Sequence, residues 1–568
     1  MNTIVARPVA AQRRTAGQRH ALVAVSHMRL MMLLLLFAAA VLLVVGRLMM
    51  LALTAEGDRV GNALLASPRG DIVDRNGEPL ARTIDAWTIG VHPKKLLGDP
   101  MEVAQKLAEL MPERGDRYHY HRLLTSGVNF TYLQRRASPA LVEAVNAIGE
   151  PAIVFERETQ RLYPQSTMAA HALGFLSTDG KGMSGMERVL DEQLTNPALN
   201  GKPVALSIDM RVQAAMESEL SRAMLSMQAR GAAGLVLDVD TGEIVSMVSL
   251  PVFNPNRVGM ASTEELRNNT VQSVYELGST FKVLTAAVAL ETGVASLSRR
   301  FDATAPLQVG RFRIKDDHAQ NRWMNIPETL VHSSNIATAR MADEIGPQRM
   351  QAMFRRLGFD TKPDVELREK GRPLWPGFWA RTTTMTTAYG HGIAVTPLHL
   401  ASAYAAMING GVWRPSTLLK VERGRAPKGR RVISEATSHR MRQMMRLIVQ
   451  EGTGKKGEAP GYRVGGKTGT AEVAQGGGYA SNANVSTFAA AFPMDAPRYV
   501  VIAMMDSPKR VEANQFQTTA AYTAAPVVSR VISRTGALLG VIPDDHRDVD
   551  QSDVMPLLWR APGEKAGH

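Results

Sequence analysis

A chain of 568 residues that is 45% hydrophobic holds enough apolar surface for the cores of two or three domains, which excludes a disordered protein. Of its +13 net charge, five charges are Arg7, Arg13, Arg14, Arg19 and Arg29, in a stretch without acids, and the +8 left on the other 539 residues is too dilute to point to nucleic acid. Cysteine is absent, which excludes a disulfide framework and a cysteine-borne lipid.

The first predicted element is apolar. Leu30 to Gly46, LMMLLLLFAAAVLLVVG, carries no charge, and the apolar character resumes after Arg47 as far as Leu53. About 20 such residues cross a bilayer, so a transmembrane anchor is expected over 30–53, with Arg47 reaching back to the interface. A cleaved signal peptide is the alternative, but the stretch is long for one and no A-x-A cleavage site follows. The arginines precede the span while Glu56 and Asp58 follow it, so residues 1–29 are expected in the cytoplasm and everything from about residue 55 outside.

Residues 55–203 alternate strand-like and helical runs. Asn76-Gly77, between apolar runs, predicts a hairpin, and the break TNPALNGKP (Thr195 to Pro203) marks a domain boundary. The second domain, 204–543, opens with a helix from about Asp209 to Arg230. Ala232 to Leu250 then reads as two strands turning at Asp240-Thr241-Gly242. Three further strand-like runs, YRVGGKTGTAEVA, VSTFAAAFP and RYVVIAMMD, lie near the other end, separated by QGGGYASNAN and MDAPR. Helical periodicity returns over Thr519 to Gly540, interrupted by Pro526. With residues 279–450 mostly helical, a sheet built from both ends of the domain around a helical insertion gives an α+β class. From Asp544 the tail, 544–568, is polar and expected to be loose.

Within the insertion, YELGSTFKVL places Ser279 where an apolar helix begins, with Lys282 one turn on and on the same face. A serine hydroxyl is a poor nucleophile unless a base takes its proton, and a neutral lysine amine can do so. Neutrality requires burial, a helix N-terminus or a second cation nearby. Ser-x-x-Lys alone is common, and Ser279 as a plain helix cap is the bland reading. Two more stretches count against it: Ser333-Ser334-Asn335 just before a helical run, and Lys467-Thr468-Gly469-Thr470 on a predicted strand, which offers the second cation, two hydroxyls and a glycine that admits a ligand to the backbone.

With these three motifs in this order, the chain resembles the penicillin-recognising serine transferases, whose S-x-x-K, S-x-N and K-[ST]-G patterns are matched at Ser279-Lys282, Ser333-Asn335 and Lys467-Gly469. RGDIVDRNGEPLA, GMERVLDEQL, LSIDMRVQ, DVDTGEIVSMVSLPVFNPN and GHGIAVTPLHLASAYAAMINGG extend the likeness, over roughly residues 60–540, to the class B penicillin-binding proteins, and among them to the septal, penicillin-binding protein 3 type. The resemblance implies an elongated pedestal domain of the dimerisation type before a transpeptidase domain, in the inner membrane of the cell with the catalytic domain periplasmic. It implies a peptidoglycan D,D-transpeptidase without metal or cofactor, acting on stem peptides that end in D-Ala-D-Ala and inhibited by β-lactams. Ser279 is then the nucleophile, Lys282 the base and Ser333 the relay. Asn335, Lys467, Thr468, Gly469 and Thr470 bind substrate, and the Ser279 and Thr470 backbone N–H groups form the oxyanion hole. The implied partners are a membrane glycan polymerase and division-complex proteins. An elongation-specific enzyme of the same class and a non-catalytic β-lactam sensor are the alternatives. Leu277 stands where many relatives have proline.

Gly461 to Thr468, GYRVGGKT, fits a phosphate-binding loop but is followed by glycine and strand rather than by a helix. His119 and His121 have H-x-H spacing without an apparent third ligand.

Overall fold

A computed structural model describes residues 16–54, 69–199, 202–475 and 478–560. Residues 1–67 form one unit and 68–568 another. The first holds α1 (Ala16–Thr54), within which His27–Arg47 is long and apolar enough to cross a membrane, at a mean hydropathy of 2.7. Most of the expected N-terminal tail, and Glu56 and Asp58, lie outside the described residues.

The second unit begins with the predicted hairpin. β1 (Ile72–Val73) turns through Asn76-Gly77 into β2 (Pro79–Val91), with Ile72 opposite Ala81. β2 is the hub of a small sheet, flanked by β3 (Thr131–Ala137) and β4 (Ile153–Leu162). Three helices, α2 (Pro100–Leu110), α3 (Arg117–Leu124) and α4 (Pro139–Asn146), pack on it around Ile89, Leu107, Tyr120, Leu133 and Ile153. Asp99, Asp116 and Ser138 cap these helices by accepting first-turn N–H groups, each cap contributing about 1 kcal/mol. His119 and His121 both lie on α3, where residues two apart point to different sides.

β5 (Val204–Ala205) returns beside β1 as a parallel pair and sews this part to the next. The buried carboxylate of Asp74 reinforces the seam by accepting from Asn76 N, Glu78 N and, across the junction, Met210 N. Asp209 caps α5 (Met210–Ser226), which leads into β6 (Gly231–Asp238) and β7 (Ile244–Leu250). These join β8 (Gly465–Gln475), β9 (Gly478–Phe492) and β10 (Tyr499–Asp506) in an antiparallel sheet of order β8-β9-β10-β6-β7.

Every residue of β6, β7 and β10 is buried, because both faces of the sheet are covered. Leu235, Leu237, Ile502 and Met504 face a core shared with α6 (Phe281–Glu291) and α8 (Pro397–Ile408), and α7 (Asn335–Ile345) packs on α6. Their neighbours Val236, Val501 and Met505 face α5 and α10 (Ala524–Thr535), with the period of two that a strand imposes. α9 (Glu435–Glu451) packs behind β8.

Three expectations need correction. The run QGGGYASNAN does not simply separate two strands: β8 reaches Gln475 and β9 starts at Gly478, with Ala474 opposite Tyr479, so the pairing continues through polar sequence. Pro526 does not interrupt α10; it sits in its first turn, where a missing N–H costs nothing. Nor is the tail loose over residues 544–560. Asp548 pairs with Arg446, whose side chain is 4% exposed, and Val549 and Val554 are buried. Leu557 O accepts from Asn325, and Trp559 N donates to Glu328. Residues 561–568 lie outside the described residues.

Candidate active site

Phe281 to Ala289 of α6 are all buried, a consequence of a sequence that is apolar around the whole helix except at Lys282 and Thr285. Lys282 is therefore carried into the core by its neighbours. Ser279 lies one turn earlier, half-buried, in a tight turn at Gly278–Thr280. Tyr404 of α8 donates to Thr280 O at 2.8 Å, and the buried Leu277 packs in the core behind the turn.

β8 lies directly against this turn. A methyl on Gly469 would stand 2.3 Å from Leu277 O, and one on Gly278, which has φ +55°, would stand 2.7 Å from Thr470 O. The missing side chain of Gly469 thus admits the serine turn to the strand. The Thr470 backbone is in turn brought beside Ser279.

Ser333 sits between two helices with φ +58°, a left-handed backbone rarely used outside glycine, asparagine and aspartate. Asp316 fixes it there, because its carboxylate accepts from Ser334 Oγ at 2.7 Å, Asn335 N at 2.5 Å and Ile336 N at 3.0 Å. Ser334 caps α7 through Ala337 N, and Asn335 Nδ2 donates to Lys315 O.

The two lysines meet on Ser333. Lys282 Nζ donates to Ser333 Oγ at 3.1 Å and also to Ser333 O; Lys467 Nζ donates to the same Oγ at 2.9 Å and to Thr468 O at 3.2 Å. Thr453 and Thr468 hydrogen-bond through their hydroxyls at 2.8 Å. Ser279 Oγ makes no hydrogen bond to either lysine, so the shared acceptor is Ser333.

Both ammonium groups are out of water, which disfavours their charged forms. Burial brings Lys282 down to about 7, with Asp316 and Asp317 pulling the other way. Burial also drives Lys467 well below its ordinary value, and the Lys282 charge adds to the effect. The electrostatic influence of the second cation thus falls on Lys467, while burial does the work on Lys282. A pair that binds fewer than two protons near neutrality can accept one from a hydroxyl and pass one to a leaving group.

Ser279, Lys282, Ser333, Asn335, Lys467, Thr468, Gly469 and Thr470 come together from α6, the start of α7 and β8. Sequence reasoning missed Asp316, whose only local signal is the acidic pair in RIKDDH, and Thr453 and Gly390, which have none. Gly390 matters because a methyl there would stand 2.2 Å from Gly278 O. The loop decoy at Gly461 runs into strand β8 instead of a helix N-terminus.

Residues 232–533 match the penicillin binding protein transpeptidase domain, and residues 64–198 the penicillin-binding protein dimerisation domain. The chain is 41% identical over 490 residues to the probable peptidoglycan D,D-transpeptidase FtsI of Caulobacter vibrioides, covering 83% of this chain and 82% of that one. It is 27% identical to the peptidoglycan D,D-transpeptidase FtsI of Escherichia coli over 528 residues, covering 86% of this chain and 87% of that one. Among solved structures, penicillin binding protein 3 of Mycobacterium tuberculosis in complex with aztreonam superposes with a TM-score of 0.66 at 26% identity, over 84% of this chain and 98% of that one.

Proposed function

Because the chain belongs to the class B penicillin-binding proteins, we propose that it is a septal peptidoglycan D,D-transpeptidase that crosslinks stem peptides through an acyl-enzyme on Ser279. The carrying observation is the convergence of two buried lysines on one hydroxyl beside the serine turn.

In this reading Ser279 Oγ attacks the carbonyl of the penultimate D-Ala, and Lys282 takes its proton. The tetrahedral oxyanion is held by the backbone N–H groups of Ser279 and Thr470, each contributing about 3 kcal/mol to lowering the barrier. Collapse breaks the peptide bond, and Ser333, hydrogen-bonded to both lysines, relays a proton to the departing D-Ala amine. An amine of a neighbouring stem then attacks the acyl carbonyl and releases Ser279. Asn335 binds the donor through its amide oxygen, since its amide nitrogen is engaged by Lys315 O. Thr468, Thr470 and the positive field of Lys467 receive the terminal carboxylate.

The arginine-rich N-terminal segment favours a cytoplasmic N-terminus, with the domains from about residue 55 in the periplasm. Strand polymerisation is assigned to a membrane glycan polymerase within a division complex. The family and the FtsI relatives support the septal role over an elongation role. Fluorescent penicillin should label the parent protein and not Ser279→Ala; a parent that stays unlabelled would overturn the site. Depletion should give filaments rather than rounded cells.

A further inference from the structure

A cavity of about 370 Å³ lies at the seam between the β2-β3-β4 sheet and the turn at residues 255–260. Four arginines line it, Arg69, Arg136, Arg161 and Arg257, and among the described residues no carboxylate does. We propose that it is an oxyanion site that holds the C-terminal carboxylate of a peptidoglycan stem peptide away from Ser279. The choice of peptide rests on the transpeptidase reading above.

The site is built rather than incidental. Arg69 and Arg161 are only 7% and 6% exposed, and Glu187 and Asp191 behind the cavity wall hold them in place. Arg161 spends Nε on Glu187 and Nη1 on Gly70 O and Thr83 Oγ1, but its buried Nη2 has no partner. Two carboxylates offset two arginines, so Arg136 and Arg257 are a surplus of two positive charges. Both are exposed, and among the described residues neither guanidinium forms an ion pair.

The backbone presents that surplus in unusual ways. Arg136 has φ +57° where the β2-β3 register slips between Trp87 and Ile89, and such bulges re-aim a side chain. Arg257 breaks helical geometry inside its turn, at φ −136° and ψ 39°. Asn256 locks that turn to Tyr163, the residue after β4, with a reciprocal pair of hydrogen bonds to Tyr163 N and O, at 3.0 and 2.9 Å. Planar guanidinium groups around an acid-free cavity suit a carboxylate, which accepts two parallel N–H bonds from each.

The test uses the full chain in a neutral detergent with Ser279 first acylated by a β-lactam, so that the catalytic cleft is closed. An N-acetylated tripeptide ending in D-Ala-D-Ala should bind the acylated parent, weaken as salt rises, and weaken about tenfold or more in the double variant Arg136→Gln, Arg257→Gln. The same peptide with a C-terminal amide should not bind. Labelling by fluorescent penicillin should be unchanged in the double variant, which shows that it folds. Inorganic phosphate binding without peptide binding would support the oxyanion chemistry and overturn the stem-peptide source. Peptide binding that is absent, or equal in parent and variant, would overturn the pocket. Failure of β-lactam labelling in the parent would instead sink the transpeptidase reading.

Discussion

Lys282 is fully buried, and its folded pKa of about 7 stands far below the unfolded value near 10.5. The rate of acylation should therefore rise through about pH 7 and level off above it, as the neutral amine accumulates. Asp316 and Asp317 oppose the depression, so Asp316→Asn should move that midpoint to lower pH. The same variant should lose about 1 kcal/mol of stability with the caps on α7. Penicillin acylation kinetics across pH 5.5 to 9, roughly the span in which Lys282 titrates, check the midpoint, and a shift upward would refute the stated role of the carboxylate. Between the folded and unfolded pKa values the unfolded chain binds more protons, so this lysine destabilises the fold at pH 7 and less so as pH climbs toward 10.5. Lys282→Met should accordingly raise the melting temperature at pH 7, gain less at a pH near 9.5, and abolish acylation. Ser333→Ala should lower acylation about 10²- to 10⁴-fold, because both lysines lose their shared acceptor.

The serine turn and strand β8 depend on each other through main-chain contact. Gly469→Ala should push the strand from Leu277 O, cost about 1–3 kcal/mol and remove penicillin labelling, read by melting and by gel fluorescence. This element-level dependence explains what the sequence reveals. Ser279 with Lys282, Ser333 with Asn335 and Lys467 with Thr470 are each legible because a short spacing on one turn or one strand fixes their geometry. The sheet hairpin through Asp240-Thr241-Gly242 and the helix capped by Asp209 are legible for the same local reason. Asp316 and Thr453 are not, since what makes them matter is a partner about 20 or 15 residues away across a fold that no periodicity encodes. The ordered stretch 544–560 is hidden because polarity reads as solvent exposure, whereas Asp548 is spent on the buried guanidinium of Arg446.

At the scale of the molecule, the same ion pair makes the C-terminal stretch part of the fold. Deleting residues 544–568 leaves Arg446 with Glu458 and Val464 O, without the Asp548 carboxylate, and removes the buried Val549 and Val554. The loss should be about 2–4 kcal/mol, seen as a lower melting temperature, and an unchanged melt would show the stretch to be dispensable. The other joint is the seam near residue 70. Gly70 N bonds to Leu194 O, Val204 N to Asp71 O, and Leu206 N to Val73 O, so β1 and β5 run side by side. Any tension arriving along the chain from its N-terminal side enters at this pairing and loads these bonds in shear, together rather than one after another. A pull on the chain at Arg69 would then be divided between the β2-β3-β4 sheet and the domain that carries the serine turn.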